Sequence, residues 1–233
     1  MISRRVDKLI NLMKWPVAFA SAAFTPLLAW AFLRLLGDIV QRPWNLMWFC
    51  IGIFAFVSLW RSWLASNRVG NWLIQFEHEL THLIFAVATL HPIVGFRASP
   101  SKGSHVRFLG KGNWLITVGP YFFPTAAVFL WCIACFLPFG VLFPWTSLIL
   151  GIAVGYHCVS TLRETHWDQT DLHELTAQFC WMFLPASNLL VLGILIAYSH
   201  DGFTGIHQFT TRMIEPLSIL YGYAKDVGAG FTP

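Results

Sequence analysis

The sequence predicts an all-α polytopic membrane protein, with about six transmembrane helices and a short membrane-associated β-hairpin between the third and the fourth. Three observations predict it. Of 233 residues, 56% are hydrophobic and only 11% are charged, with a mean hydropathy of +0.60, whereas a soluble domain carries about 25% charged residues. Apolar runs recur along the chain, each near the ~20 residues that cross a bilayer. One run carries ionisable side chains on a single stripe, which is costly in lipid unless the stripe faces the protein interior or water.

The runs in chain order are Trp15–Leu36, Trp44–Ala65, Gly70–Leu90, Trp114–Leu137, Val141–Leu162 and Ala177–Tyr198, of which Gly70–Leu90 meets the test less well because its first half is polar. Arg4, Arg5, Lys8 and Lys14 precede the first and resemble the basic part of a signal peptide. The apolar run after them is too long for one, and the A-x-A at Ala18–Ala20 sits at its start, so the segment is expected to stay as a helix. Gly151 and Gly155 form a G-x-x-x-G on the fifth run, a spacing that lets helix backbones approach closely. All five cysteines (Cys50, Cys132, Cys135, Cys158, Cys180) lie in apolar runs. They read as small core residues rather than a disulfide framework or a metal site.

Between the third and fourth runs, Val94, Phe96 and Ala98 alternate with other residues, as do Val106 and Phe108, around a Ser-Pro-Ser-Lys-Gly-Ser turn. This is the pattern of a β-hairpin. After Tyr198, residues Ile206, Phe209, Met213, Leu217, Leu220, Tyr221 and Ala224 recur at helical spacing, which predicts an amphipathic helix interrupted near Pro216. The organisation expected is a helix pair over 1–69, a membrane core over 70–198 and an amphipathic segment over 199–233, together forming one compact domain. The net charge of +4 is spread over several loops. It forms no nucleic-acid stripe and suits contact with anionic lipid. Its distribution does not fix the orientation in the membrane.

The polar stripe lies on the third run. Gln75, His78, Glu79 and His82 stand at i, i+3, i+4 and i+7, on one face of a helix. Within it, His78-Glu79-Leu80-Thr81-His82 is an H-E-x-x-H. Two histidines one turn apart can aim ring nitrogens at one Zn2+, with the intervening glutamate beside the metal's water as general base. Glu77 points to the opposite side of the wheel and reads as an interfacial partner for a basic group such as Arg68.

In the order of these features the chain resembles the site-2-protease-like intramembrane zinc metallopeptidases. That family has a helix with H-E-x-x-H, a membrane-associated hairpin, a helix with Gly-Pro and a later Asp that completes the zinc site. Here the order is His78–His82, the hairpin around Val94–Phe108, Gly119-Pro120 and then an acidic segment, covering roughly residues 70–180. The family's Asn three residues after the Pro is replaced by Phe123, so its role falls to Tyr121 or Asn113. The Asp-Gly ligand motif is missing from its expected place.

The resemblance leaves Asp168, Asp171, Asp201, His157 and His166 as third-ligand candidates. Asp171 is preferred and Asp168 comes second, because their segment follows the Gly-Pro helix and leads into the last run. Asp201-Gly202 has the right dipeptide but closes a run. Asp171-x-x-Glu174 also has helix-capping spacing. His157 is a candidate for supporting the ligands.

The function expected is an intramembrane zinc metalloprotease acting on membrane-anchored protein substrates within or near the bilayer. It would be an integral multi-pass protein of a bacterial-type cell membrane, with no nucleic-acid partner. Zinc on His78, His82 and Asp171 would activate water, and Glu79 would take its proton. A substrate helix must unwind before cleavage, and the hairpin, through Val106 and Phe108, is the edge on which it would pair, with Tyr121 nearby. The alternative is a metal-binding or metal-transporting membrane protein without hydrolase activity. A metal-free scaffold is a further rival.

Overall fold

The computed structural model describes residues 2–99, 103–137, 139–166 and 169–229. The chain is mostly helical. An amphipathic helix α1 (Ile2–Leu12) leads into α2 (Lys14–Gln41), followed by α3 (Met47–Ser62) and α4 (Arg68–Ala88). The strands β1 (Ile93–Arg97) and β2 (His105–Phe108) come next, then α5 (Trp114–Val118), α6 (Thr125–Ala134), α7 (Phe139–Glu164), α8 (Thr170–Leu175) and α9 (Ala177–Ala229).

Among the described residues, four helical stretches are long and apolar enough to cross a membrane: Lys14–Gln41, Pro43–Ser66, Phe143–Glu164 and Ala177–Ile219. A fifth span requires counting Trp114–Tyr121 and Thr125–Ala134 together, although they bend by 81°. The expected six are therefore too many. The third run falls short because its polar stripe lowers its hydropathy. The fourth is broken where Gly119-Pro120 form a 3-10 turn, Gly119–Tyr121, and proline cannot donate the hydrogen bond that would continue a helix.

The expected interruption near Pro216 is also corrected. Helix α9 continues through Pro216 and breaks at Asp201 and Gly202, where Gly202 adopts φ 59°, ψ −141°. That conformation is open to glycine and strained for any residue with a Cβ. Beyond the break the chain folds back on itself. A Cβ on Gly205 would lie 2.1 Å from the Ala197 carbonyl oxygen, and one on Gly193 would lie 2.2 Å from the Phe209 ring. The two halves of α9 are thus antiparallel neighbours, and Phe209 joins Leu28, Ala31 and Leu35 of α2 in one buried cluster.

The G-x-x-x-G expectation holds. A Cβ on Gly151 would lie 2.0 Å from the Phe49 carbonyl oxygen, and one on Gly52 would lie 2.2 Å from that of Leu148. Helices α3 and α7 meet backbone to backbone there, the use of small residues that lipid-exposed bundles favour. Around this seam Phe49, Leu150, Val154, Leu195 and Tyr198 form a buried core.

The hairpin also forms as expected, antiparallel, with Phe96 opposite Val106 and Arg97 opposite His105. An irregularity between Ile93 and Gly95 re-aims the start of β1. The hairpin lies along α4. Ser104 donates a 2.6 Å hydrogen bond to Gln75 Oε1, and the Phe96 ring meets Phe76 edge-on at 6.0 Å.

Candidate metal centre

Helix α4 positions the first two candidate ligands. Its start is fixed by Asn67, whose side-chain oxygen accepts from the backbone N–H groups of Val69 (2.8 Å) and Gly70 (3.0 Å). Such a cap is worth about 1 kcal/mol and satisfies donors that the first turn otherwise orphans. Three turns on, His78 and His82 point the same way, with their Nε2 atoms 3.1 Å apart.

The third group comes from α8. Asp171 Oδ2 lies 3.1 Å from His82 Nε2 and 3.4 Å from His78 Nε2. Among the described residues these are the side chains that converge closely enough that they could hold a metal ion. Ligand atoms at ~2.0–2.2 Å from a tetrahedral zinc lie about 3.3–3.6 Å from one another, close to the spacing found. The donors also suit zinc chemically. His82 Nδ1 lies 2.8 Å from the Ile116 carbonyl oxygen. A carbonyl accepts only a proton-bearing nitrogen, so Nδ1 carries a hydrogen and Nε2 is the nitrogen left to give up its proton to a metal.

Burial pushes the Asp171 carboxyl up, but hydrogen bonding and positive potential from His78 and His82 outweigh it and hold the group below the usual carboxylate range. The carboxyl is ionised near neutral pH, the form a metal requires.

Glu79 lines the same cleft as His78, His82 and Asp171, a polar space of about 470 Å³. Val106 and Phe108 of β2 line it too, so the hairpin borders the cleft. Lys111 and Glu164 also line it. Sequence reasoning did not single them out, because lone charges at loop and helix ends carry no pattern.

Tyr121 is buried, with its ring edge-on to His78 at 5.6 Å, and its hydroxyl has no hydrogen-bond partner among the described residues. Asn113, the other candidate for the missing Asn's role, is already engaged. Its Nδ2 donates to Asp7 at 2.8 Å, and its Oδ1 caps α5 by accepting from Ile116 N–H at 3.3 Å.

The remaining candidates lie elsewhere. Asp168 falls outside the described residues. Asp201 accepts from Arg42 at 3.3 Å, at the break in α9. His166 lines an apolar groove of about 780 Å³ together with Leu172 and His173, on the other face of α8. His157 does not support the ligands, because it faces Glu77, with Nδ1 3.5 Å from Oε1.

That contact also corrects the expectation for Glu77. It is 4% exposed and lies inside the bundle against α7 rather than beside Arg68. Neither of its carboxylate oxygens has a hydrogen-bond partner among the described residues. The helix wheel put Glu77 opposite the metal stripe, and an opposite face in a bundle meets another helix as readily as lipid.

The Gly-Pro turn has a local reason. A Cβ on Gly119 would come within 2.7 Å of the Phe85 ring on α4, so glycine lets the broken span press against the metal helix. Comparison with protein-family models, with curated proteins and with solved structures found no match to the chain.

Proposed function

We propose that the protein is a membrane zinc metallopeptidase that cleaves a peptide bond of a membrane-anchored substrate within or beside the bilayer, similar in plan to the site-2-protease-like enzymes. The observation that carries this reading is the convergence of His78 Nε2, His82 Nε2 and Asp171 Oδ2 from two separate helices, with Glu79 on the same cleft. Three protein ligands are what a catalytic zinc takes, leaving a position open for water or substrate. A zinc ion bound there supplies Lewis acidity that activates water and polarises a scissile carbonyl.

The chain's own residues supply the rest. Glu79 stands one residue from a ligand without joining the triad, so its carboxylate is free to accept a proton from the attacking water and return it to the leaving amine. The Ile116 carbonyl orients His82. Strand β2 offers a backbone edge beside the cleft, on which an unwound substrate segment pairs as an added strand. The polar lining lets water reach a bond that a membrane helix would otherwise hide. A transit path for metal needs successive ligand sets, and among the described residues one set is present.

The test is zinc content together with cleavage of a panel of membrane-anchored reporters, wild type against Glu79→Gln. The variant is expected to keep its zinc and lose about 10²–10⁴-fold in turnover. Normal turnover by that variant overturns the reading.

A further inference from the structure

Helix α1 has two faces with different partners. Its single acidic residue, Asp7, is turned inward and only 6% exposed. The Asp7 carboxylate accepts from Asn113 Nδ2 at 2.8 Å and meets His91 Nε2 at 3.1 Å, and His91 Nδ1 in turn meets Thr89 Oγ1 at 3.0 Å. Asn11 accepts from the Trp114 N–H at 3.2 Å, and the Trp114 indole donates to the Ile10 carbonyl at 2.6 Å. His91 and Thr89 lie between α4 and β1, while Trp114 opens α5 and Asn113 lies in the segment joining β2 to α5. Lys111, Gly112 and Asn113 of that segment line the cleft, and Ile116 just beyond orients His82.

The outward face carries Arg4, Arg5 and Lys8 beside Ile2, Leu9 and Leu12, all exposed. At 100° per residue, Ile2 and Leu9 fall on one apolar strip with Arg5 and Lys8 along its flank. With Asp7 withdrawn, this face carries positive charge alone. Only Met13 separates α1 from α2, whose exposed Phe19 and Phe24 mark it as a lipid-facing span. A basic amphipathic helix at that junction lies where the chain meets the head groups.

We propose that α1 is an interfacial anchor whose outward face binds an anionic bilayer surface while its inward face clamps the rim of the cleft. An isolated helix of this length is unstable in water, so α1 depends on both supports. Lipid composition therefore changes the order of the segment beside the metal centre, whatever reaction that centre performs.

The experiment is hydrogen–deuterium exchange on the full chain in nanodiscs holding one copy, made either of phosphatidylcholine or of phosphatidylcholine with phosphatidylglycerol. Amides of α1 are expected to exchange more slowly in the anionic discs. Three basic residues at about fivefold each set a ceiling of roughly a hundredfold. The variant Arg4→Gln/Arg5→Gln/Lys8→Gln should lose this difference and keep its zinc. Equal exchange in the two lipids, or a difference that survives in the triple variant, overturns the anchor. Protection confined to discs holding two copies assigns the face to a second chain and likewise overturns it. For the clamp, Asp7→Ala should speed exchange over residues 110–117 with zinc retained, and Asn11→Ala serves as a milder variant. Unchanged exchange in both variants overturns the clamp.

Discussion

The Nδ1 atom of His82 sits 2.8 Å from the carbonyl oxygen of Ile116, so a main-chain acceptor on α5 orients a candidate ligand on α4. The Gly-Pro turn makes this possible by holding the start of the broken span against α4. An outer contact of this kind typically contributes 10–100-fold to metal affinity.

Zinc should therefore stabilise the folded protein measurably. A ligand present at 1,000 times its Kd adds about 4 kcal/mol to stability, seen as a rise in the unfolding midpoint in detergent that a chelator reverses. Asp171→Ala should lose this rise, with affinity falling by more than the ~100-fold that outer contacts cost. Glu79→Gln should keep it. If Asp171→Ala binds zinc as wild type does, Asp171 is not a ligand.

The Glu77–His157 pair makes a separate prediction. Removing one partner of a buried pair costs about 3–5 kcal/mol, whereas replacing both with apolar groups is often close to neutral. Glu77→Leu and His157→Leu should each lower the unfolding midpoint, and the double variant should recover most of the loss. Strictly additive effects would mean that the two side chains do not interact.

The shared face of His78 and His82 was legible because the H-E-x-x-H spacing is local to one helix, and the hairpin because its alternation is local as well. Asp171 was reachable only by its order along the chain, since nothing near it marks a carboxylate that reaches α4. The span count failed for the same reason in reverse. Hydropathy reads the apolar run Trp114–Leu137 as continuous, while the chain bends by 81° across the Gly119–Tyr121 turn, where Gly119 packs against Phe85 of α4. The partners of Glu77 and Asp7 lie about 80 residues or more away in sequence, at His157, His91 and Asn113, beyond the reach of any periodicity.

The seam between α3 and α7 should tolerate no added side chain. A Cβ at position 151 or 52 would overlap backbone atoms. Backbone cannot move aside as a flexible side chain can, so Gly151→Ala and Gly52→Ala should each cost at least ~1–3 kcal/mol. The measurement is unfolding in detergent, and an unshifted midpoint would mean that the helices do not touch at these glycines. Gly37, with nothing near it, is the control, and Gly37→Ala should be neutral or slightly stabilising.

The dipeptide Asp201-Gly202 separates a structural from a metal-binding role. Asp201 meets Arg42, and both side chains are substantially exposed, at 29% and 48%. An exposed pair of this kind is worth about 0–1 kcal/mol, so Asp201→Ala should change stability little and leave the zinc-dependent midpoint shift intact. Gly202 bears more, because α9 reverses there at φ 59°, ψ −141°. Any Cβ at that position is strained by about 1–3 kcal/mol. Gly202→Ala should therefore lower the unfolding midpoint with zinc binding preserved. The second half of α9 depends on the reversal to bring Phe209 against α2, so its amides should also exchange faster in the variant. An Asp201→Ala variant that lost its zinc would move the third ligand from Asp171 to Asp201 and refute the site described above.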